Sequence, residues 1–385
     1  MKSLPIVFAA SIVFILAPLL SGCSTATPSG GLESADLVGL VVGDTAYAPQ
    51  VTTVSLTSVL EQTVSDGTIV EMYSTDGTPR PLWSGPVSWD ESAQQSGTSR
   101  TRAFTKVANA ALGAQATTAE SNPLEAVLQI AGSFSAFKGR KEIVILDPLL
   151  QTAGALPLQD GVLGGEPSDA VTALRASGYL TTDLKGIHIV LTDAGQVAAG
   201  TKQPAMDSLS RKKLIAFWTY LFRAAGASVS TTSLQFGGTR AATQTVTVIP
   251  LTPINPVVAN CTVSLDGAAL GFQPNTAVFT SRSASLATIS AAAQRLKAAG
   301  CTGKVTLIGT TSSAGTAASR QHVATIRVLA VRGLLATELG VTETSIQTNP
   351  VGYDTRYCAK DTDAQGHLLA GPASRCRLVV ISVGS

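Results

Sequence analysis

Residues 142–147 read Glu-Ile-Val-Ile-Leu-Asp, an apolar and β-branched run that ends in a carboxylate. Such a run predicts a buried strand, because β-branched side chains favour the pleated backbone. Similar runs lie at residues 37–42 and 186–191, a further one is predicted at 245–249, and helical patterns separate them. Strands that alternate with helices over residues 35–251 predict an α/β domain with a doubly wound, mainly parallel sheet.

The pattern changes after a proline-containing segment, residues 252–260, which we interpret as a linker. From residue 261 to residue 385 the alternation predicts an α+β domain in the order β-α-β-α-β-β. Its strands are predicted at residues 276–280, 304–309, 345–351 and 377–383, and its helices at 286–298 and 317–339.

Composition excludes several classes of protein. The 385 residues carry 27 basic and 25 acidic side chains, a net charge of +2, which offers no electrostatic footprint for nucleic acid. Apolar residues make up 45% of the chain and charged residues 14%, so the chain can bury large cores and is not disordered as a whole.

The amino terminus has the features of a secretory signal. Lys2 precedes an apolar run over residues 6–20, which is shorter than the roughly 18 residues that a membrane-spanning helix needs. The following Leu20-Ser21-Gly22-Cys23 resembles the bacterial lipobox. That resemblance implies a signal peptide at residues 1–22, diacylglycerol and palmitate on Cys23, and a flexible spacer at residues 23–34. The alternative is an ordinary signal peptide with an incidental cysteine.

Four further cysteines, Cys261, Cys301, Cys358 and Cys376, all lie in the last third of the chain. An even number in an oxidising compartment favours two disulfides, although four cysteines allow three pairings. We favour Cys358 with Cys376, which would close a loop rich in turn-forming residues, and then Cys261 with Cys301. A zinc site is the alternative, but the sequence has no C-x-x-C pair.

The last third resembles the OmpA-like peptidoglycan-binding domain over about 110 residues. The resemblance implies an envelope protein that binds the diamino acid of a wall peptide through an aspartate in a Thr-Asp-x-x-Gly loop and an arginine on the next helix. The matching segments are 278–280, 284–286, 305–315, 327–335, 339–341, 351–353 and 375–381.

In this chain the loop threonine is Thr311, but the aspartate position is Ser312. The arginine is present as Arg327, and Arg320 replaces the usual asparagine. A guanidinium suits the ligand's carboxylate, whereas a hydroxyl brings no charge to its ammonium. Three interpretations stay open: weak or altered wall binding, a different ligand, or a structural relic. Arg327 could instead be a solvated helix charge, or form a small basic patch with Arg320.

The first domain is similar to von Willebrand factor A-like domains that precede OmpA-like domains in some actinobacterial envelope proteins. The matching segments are 38–44, 142–147, 150–154 and 180–191. The family's metal site uses Asp-x-Ser-x-Ser, because hydroxyls and carboxylates suit a hard cation. Here that stretch is residues 44–48, in which Asp44 is kept and both serines are alanine. Asp147 is the other candidate ligand. Two carboxylates without the two hydroxyls make a poor magnesium site, so no metal or other cofactor is expected.

Enzyme motifs are absent from the sequence. It has three histidines, of which His188 lies in an apolar strand, and no G-x-S-x-G, Walker A or H-E-x-x-H motif. Residues 161–165 are glycine-rich but lead into Glu166-Pro167, which indicates a loop. We therefore expect a non-catalytic lipoprotein on the outer face of the cell membrane, with peptidoglycan and unknown envelope proteins as partners. Its role would be to tether membrane to wall or to scaffold an envelope complex. The alternatives are a protein-interaction scaffold with both ligand sites degenerate, a metal-dependent adhesion module, or a wall hydrolase.

Overall fold

The computed structural model describes residues 31–90, 96–180, 184–234, 236–237, 244, 246–249, 259–273 and 275–384. The predicted signal peptide, Cys23 and most of the predicted linker lie outside these residues. Within the described part of the chain, no helix is long and apolar enough to span a membrane.

A six-stranded sheet forms the centre of the first domain. Its strand order is β3-β2-β1-β4-β5-β6, with only the β2–β3 pair antiparallel. The prediction of an α/β domain with a mainly parallel sheet is therefore confirmed. The strands are β1 (Ala35–Val42), β2 (Val64–Ser74), β3 (Pro81–Val87), β4 (Lys141–Leu146), β5 (Ile187–Thr192) and β6 (Ser228–Thr232).

Helices cover both faces of this sheet. Along β4, Ile143 and Ile145 belong to the core under α3, α4 and α5, whereas Val144 and Leu146 belong to the core under α1 and α2. Successive strand residues point to opposite faces, so a run that is apolar at every position is buried on both. The helices are α1 (Thr53–Thr63), α2 (Ser96–Leu112), α3 (Pro123–Phe134), α4 (Pro167–Ala176) and α5 (Ser208–Ala224).

The predicted strand at residues 245–249 is wrong. The sixth strand is β6, whose sequence Ser-Val-Ser-Thr-Thr carries little apolar signal because it lies at the edge of the sheet. Val246 and Ile249 are buried against the core without joining the sheet. The apolar residues of this segment therefore fill a core position, which a periodicity argument cannot distinguish from a strand.

The second domain has a four-stranded sheet in the order β7-β10-β8-β9. Strand β10 is antiparallel to β7 and β8, and β8 is parallel to β9. Helices α7 and α8 pack on the sheet around a separate apolar core. The elements are β7 (Thr262–Asp266), α6 (Gly267–Leu270), α7 (Arg282–Ala298), β8 (Val305–Thr310), α8 (Ala317–Leu339), β9 (Gln347–Gly352), α9 (Ala370–Arg375) and β10 (Leu378–Val383).

The predicted first strand of this domain, at residues 276–280, is also wrong. Phe279 makes an isolated bridge to Phe272 and stacks on its ring, and Val278 is exposed. The true first strand is β7, in which Val263 and Leu265 are buried and the residues beside them are not. With that shift, the predicted order β-α-β-α-β-β holds, supplemented by the short helices α6 and α9.

Candidate functional site

Arg327 lies in the middle of α8 and is only 4% exposed. Its Nε donates a hydrogen bond of 3.0 Å to the carbonyl of Thr276. Its guanidinium carbon lies 5.0 Å from the centre of the Phe272 ring, a cation–π contact. These contacts hold the guanidinium in one orientation, so the interpretation of Arg327 as a solvated helix charge is wrong.

The remaining partner of Arg327 comes from the first domain. Its Nη2 forms an ion pair with the carboxylate of Glu166, which is also buried. Glu166 is the residue that precedes α4. The arginine that the resemblance assigns to a ligand's carboxylate therefore binds a carboxylate of the same chain.

A second ion pair lies beside the first. Arg377 precedes β10, and its Nη2 pairs with the carboxylate of Asp169 in the first turn of α4. The same Nη2 donates to Ser312 Oγ at 2.9 Å, and Nη1 donates to the carbonyl of Ala373 at 3.0 Å. Ser312 Oγ in turn donates to Asp169 at 3.4 Å. Ser312 thus lies between a cation of its own domain and an anion of the other.

The two ion pairs are buried, and burial changes the pKa of one of their arginines. It lowers the pKa of Arg377 to about 10, while the charge of Glu166 acts in the opposite direction. Arg377 therefore remains positively charged near neutral pH. Two buried guanidinium groups facing two buried carboxylates are balanced in charge, which a low-dielectric interior requires.

The loop that carries Ser312 is fixed by other residues. Arg320 donates from Nη1 to the carbonyls of Ser313 and Gly315, each at 2.7 Å. Asp361 accepts from the Ser313 N–H at 2.7 Å, and the Thr311 N–H donates to the Gly352 carbonyl at 2.8 Å. Arg320 therefore orders the loop while Arg327 faces the first domain, and the two do not form an exposed basic patch.

Both disulfides lie in the second domain. Cys261 is bonded to Cys301 and Cys358 to Cys376, the pairing that we favoured. The second bond closes the loop before β10. Because Cys376 is adjacent to Arg377, this disulfide anchors the backbone that presents Arg377 to Asp169.

The two metal-site candidates lie together at the carboxyl edge of the six-stranded sheet. Thr75 donates from Oγ1 to Asp147 at 2.7 Å and from its N–H to Asp44 at 3.3 Å. The Leu149 N–H donates to the other Asp147 oxygen at 2.6 Å. Burial, with a smaller contribution from the charge of Asp44, raises the pKa of Asp147 to about 6, although the hydrogen bonds from Thr75 and Leu149 act in the opposite direction.

These contacts do not fit a metal centre. Both carboxylate oxygens of Asp147 already accept hydrogen bonds, and Ala46 and Ala48 supply no ligand oxygen. Tyr47, which lies between those alanines, is buried and donates to the Leu150 carbonyl. In the described part of the chain, no group of three or more His, Cys, Asp or Glu side chains could hold a metal ion.

His188 is held by two side chains on neighbouring strands. Its Nδ1 is 3.0 Å from Glu142 on β4, and its Nε2 is 2.9 Å from Ser230 on β6. Serine, histidine and glutamate in mutual contact are also the side chains of a hydrolase triad, but Ser230 is buried in the edge strand β6. Both ring nitrogens of this partly buried histidine therefore have hydrogen-bond partners.

Three residues of the site were not found from the sequence: Glu166, Asp169 and Arg377. The sequence places Glu166-Pro167 at the end of a glycine-rich loop and predicts a helix from Ser168 to Ala176, which contains Asp169. Two features of the sequence mark this position. Proline favours the first position of a helix, and glutamate is an uncommon residue at the N-cap. Neither signal indicates a partner in another domain.

Comparison with known proteins gives limited similarity. No family model matches the chain, and no curated protein matches it. Solved structures that resemble it include the OmpA-like domain of FopA1 from Francisella tularensis, with 21% identity over 33% of this chain and 75% of that chain, at a TM-score of 0.23. The periplasmic domain of Helicobacter pylori MotB is 14% identical over 32% of this chain and 76% of that one, at a TM-score of 0.25.

Another solved structure that resembles part of this chain is a von Willebrand factor type A protein from Catenulispora acidiphila. The identity is 12%, over 52% of this chain and 38% of that chain, at a TM-score of 0.25. Because all three TM-scores are below 0.5, we infer function from the contacts within this chain.

Proposed function

We propose that this protein is a non-catalytic lipoprotein of the cell envelope, anchored through Cys23 to the outer face of the cell membrane. Its two domains form a docked unit that scaffolds the space between membrane and wall. Peptidoglycan is the proposed partner of the second domain. The proposal rests on the lipobox-like amino terminus, on the OmpA-like motifs, and on the two disulfides, which suit an oxidising compartment.

The observation that carries the binding role is the buried guanidinium of Arg327. It is oriented by Thr276 and Phe272, and it holds a carboxylate. These contacts support a binding role, because they hold the guanidinium in one orientation and a buried cation needs an anion as its partner. Because Glu166 occupies this position, binding of a wall peptide requires that the first domain move away.

The same observation favours a second candidate function. With Arg327 and Ser312 both buried against the first domain, the site could serve only to join the two domains. The protein would then be an interaction scaffold that does not bind the wall. The two candidates differ in one measurable property, retention by purified wall.

A wall pull-down with the full chain tests the proposal. We expect the wild type to be retained and Arg327→Ala to be lost, while Arg332→Ala, which removes a more exposed arginine of α8, leaves retention unchanged. Retention of none of the three favours the scaffold without wall binding, and equal retention of all three contradicts a role of Arg327 in binding the wall.

Two further assays test the anchor and the absence of catalysis. Metabolic labelling with an alkyne fatty acid should label the wild type but not Cys23→Ala, and labelling of the variant would remove the lipid anchor from the proposal. A fluorophosphonate probe should not modify Ser230. Modification that His188→Gln abolishes would instead indicate a working hydrolase.

A further inference from the structure

With the first domain docked, the second domain contributes two buried cations to its site, and among the described residues neither forms an ion pair with a carboxylate of its own domain. Arg377 donates to Ser312 and to the Ala373 carbonyl, and Arg327 donates to the Thr276 carbonyl. All three acceptors are uncharged. A guanidinium buried among neutral acceptors carries a large desolvation cost that an anion must offset. The site therefore calls for two negative charges from outside the domain.

The first domain supplies both charges from one short segment. Glu166 is the N-cap of α4, and Asp169 is the third residue of the helix. Pro167 at the first helical position fixes the backbone between them, and the Asp169 N–H donates to the Glu166 carbonyl at 2.9 Å. The two carboxylates are thus presented on one rigid turn, at the spacing of the two guanidinium groups.

Contacts on the amino-terminal side extend this docking. Ser374 donates to the Gly161 carbonyl at 2.7 Å, and Arg375 donates to the Asp160 carbonyl at 2.6 Å. A Cβ atom at Gly165 would lie 2.8 Å from the Cβ of Ser374, so glycine is required for this approach. Residues 160–169 therefore lie against the second domain as a bound peptide would.

We propose that the site of the second domain is a receptor for a pair of carboxylates, and that its resident ligand is the Glu166–Asp169 segment of the same chain. The resident ligand is an acidic peptide segment, which a wall peptide would have to displace from the site. This inference goes beyond the proposed function and rests on it only in assigning the site a binding role.

Ser312 determines this preference. Its hydroxyl accepts from Arg377 and donates to Asp169, so it contacts both charges without adding one. A carboxylate at this position would neutralise Arg377 within the domain and repel Asp169. With a serine at position 312, Arg377 has an uncharged partner in its own domain, and Asp169 of the first domain provides the negative charge.

Arginine modification of the purified full chain tests the inference. Phenylglyoxal is applied to the wild type, to Glu166→Gln/Asp169→Asn, and to Glu343→Gln. The last is a matched control that breaks a more exposed ion pair within the second domain. Modification rates are read at each arginine by mass spectrometry, with the exposed Arg356 as internal reference. We expect Arg327 and Arg377 to react at least about tenfold faster in the double variant only, since about 1.4 kcal/mol of lost docking energy is a factor of ten.

Peptides added to the double variant identify the ligand class. An acetylated peptide with the sequence of residues 163–172 should slow modification of both arginines again. The same peptide with glutamine and asparagine in place of the two acids should not, and neither should a stem peptide that contains the diamino acid. Unchanged arginine rates in the double variant, equal protection by both chain-derived peptides, or better protection by the stem peptide would overturn the inference.

A second variant covers the case in which the double variant fails to fold. In Ser312→Asp/Asp169→Asn the carboxylate is moved from the first domain to the second. We expect Arg377 to stay protected and Arg327 to stay paired with Glu166, and a reactive Arg377 would overturn the role of Ser312. These outcomes are independent of the wall pull-down: a chain retained by wall but not protected by the acidic peptide contradicts this inference alone, whereas the reverse contradicts only the proposed tether.

Discussion

Arg327 on α8 forms a buried ion pair with Glu166, which precedes it by 161 residues and belongs to the other domain. This contact joins a helix built by the second domain to a turn built by the first. Both side chains are shielded from water, so each depends on the other to stabilise its charge.

Glu166→Gln should therefore destabilise the protein strongly. The amide has the shape of the carboxylate but leaves Arg327 buried without an anion, which costs about 3 kcal/mol of unfolding free energy. Unfolding of the wild type and the variant in guanidinium chloride measures the loss of unfolding free energy. Glu343→Gln, which breaks a more exposed pair with Arg332, is the control and should cost less than about 1 kcal/mol. Similar losses in the two variants would mean that the buried pair contributes no more than a surface pair.

Ser312→Asp should rescue Asp169→Asn. The single change at Asp169 leaves Arg377 unpaired, whereas a carboxylate at position 312 lies within reach of the same guanidinium. The double variant should recover at least about 1 kcal/mol of unfolding free energy relative to Asp169→Asn, the usual size of coupling between contacting residues. Additive effects in a double-mutant cycle would show that Ser312 and Asp169 do not share Arg377.

Asp147 should make stability depend on pH. Its pKa is about 6 in the folded protein against an ordinary value of 3.8, so the folded state binds the proton more tightly than the unfolded chain. The contribution of Asp147 to the unfolding free energy should then be largest below about pH 4 and fall by up to about 3 kcal/mol as the pH rises through 6. Asp147→Asn lacks this titration. The difference between the two pH profiles measures it, and parallel profiles would contradict the raised pKa.

Removal of the Cys358–Cys376 disulfide should loosen the site as well as the domain. The bond closes a sequence separation of 18 residues, so Cys358→Ala/Cys376→Ala should cost about 3 kcal/mol by the chain-entropy model. The control is Cys261→Ala/Cys301→Ala. It opens a separation of 40 residues and should cost about 0.7 kcal/mol more by the same model. Only the first variant should raise the reactivity of Arg377 towards phenylglyoxal, because only Cys376 adjoins it.

The sequence predicted elements well where periodicity and end signals agreed. The helix predicted at residues 317–339 is α8, with Thr316 before its start and Gly340 after its end, and the run at 142–146 is the core of β4. The sequence pattern did not predict strands β6 and β7. Both are edge strands, which carry fewer apolar residues because one side lacks a neighbour.

For the site, the sequence alone identified the loop with Ser312 and the arginine on the following helix, through a resemblance that implies an aspartate at position 312. Those residues lie within one short segment, where a motif can place them. The fold was needed to show that Arg327 and Ser312 are buried, that Arg377 joins them, and that Glu166 and Asp169 supply the negative charge. The physical reason is that a buried cation requires an anion but does not specify where in the chain it lies, and packing of the two domains makes that choice.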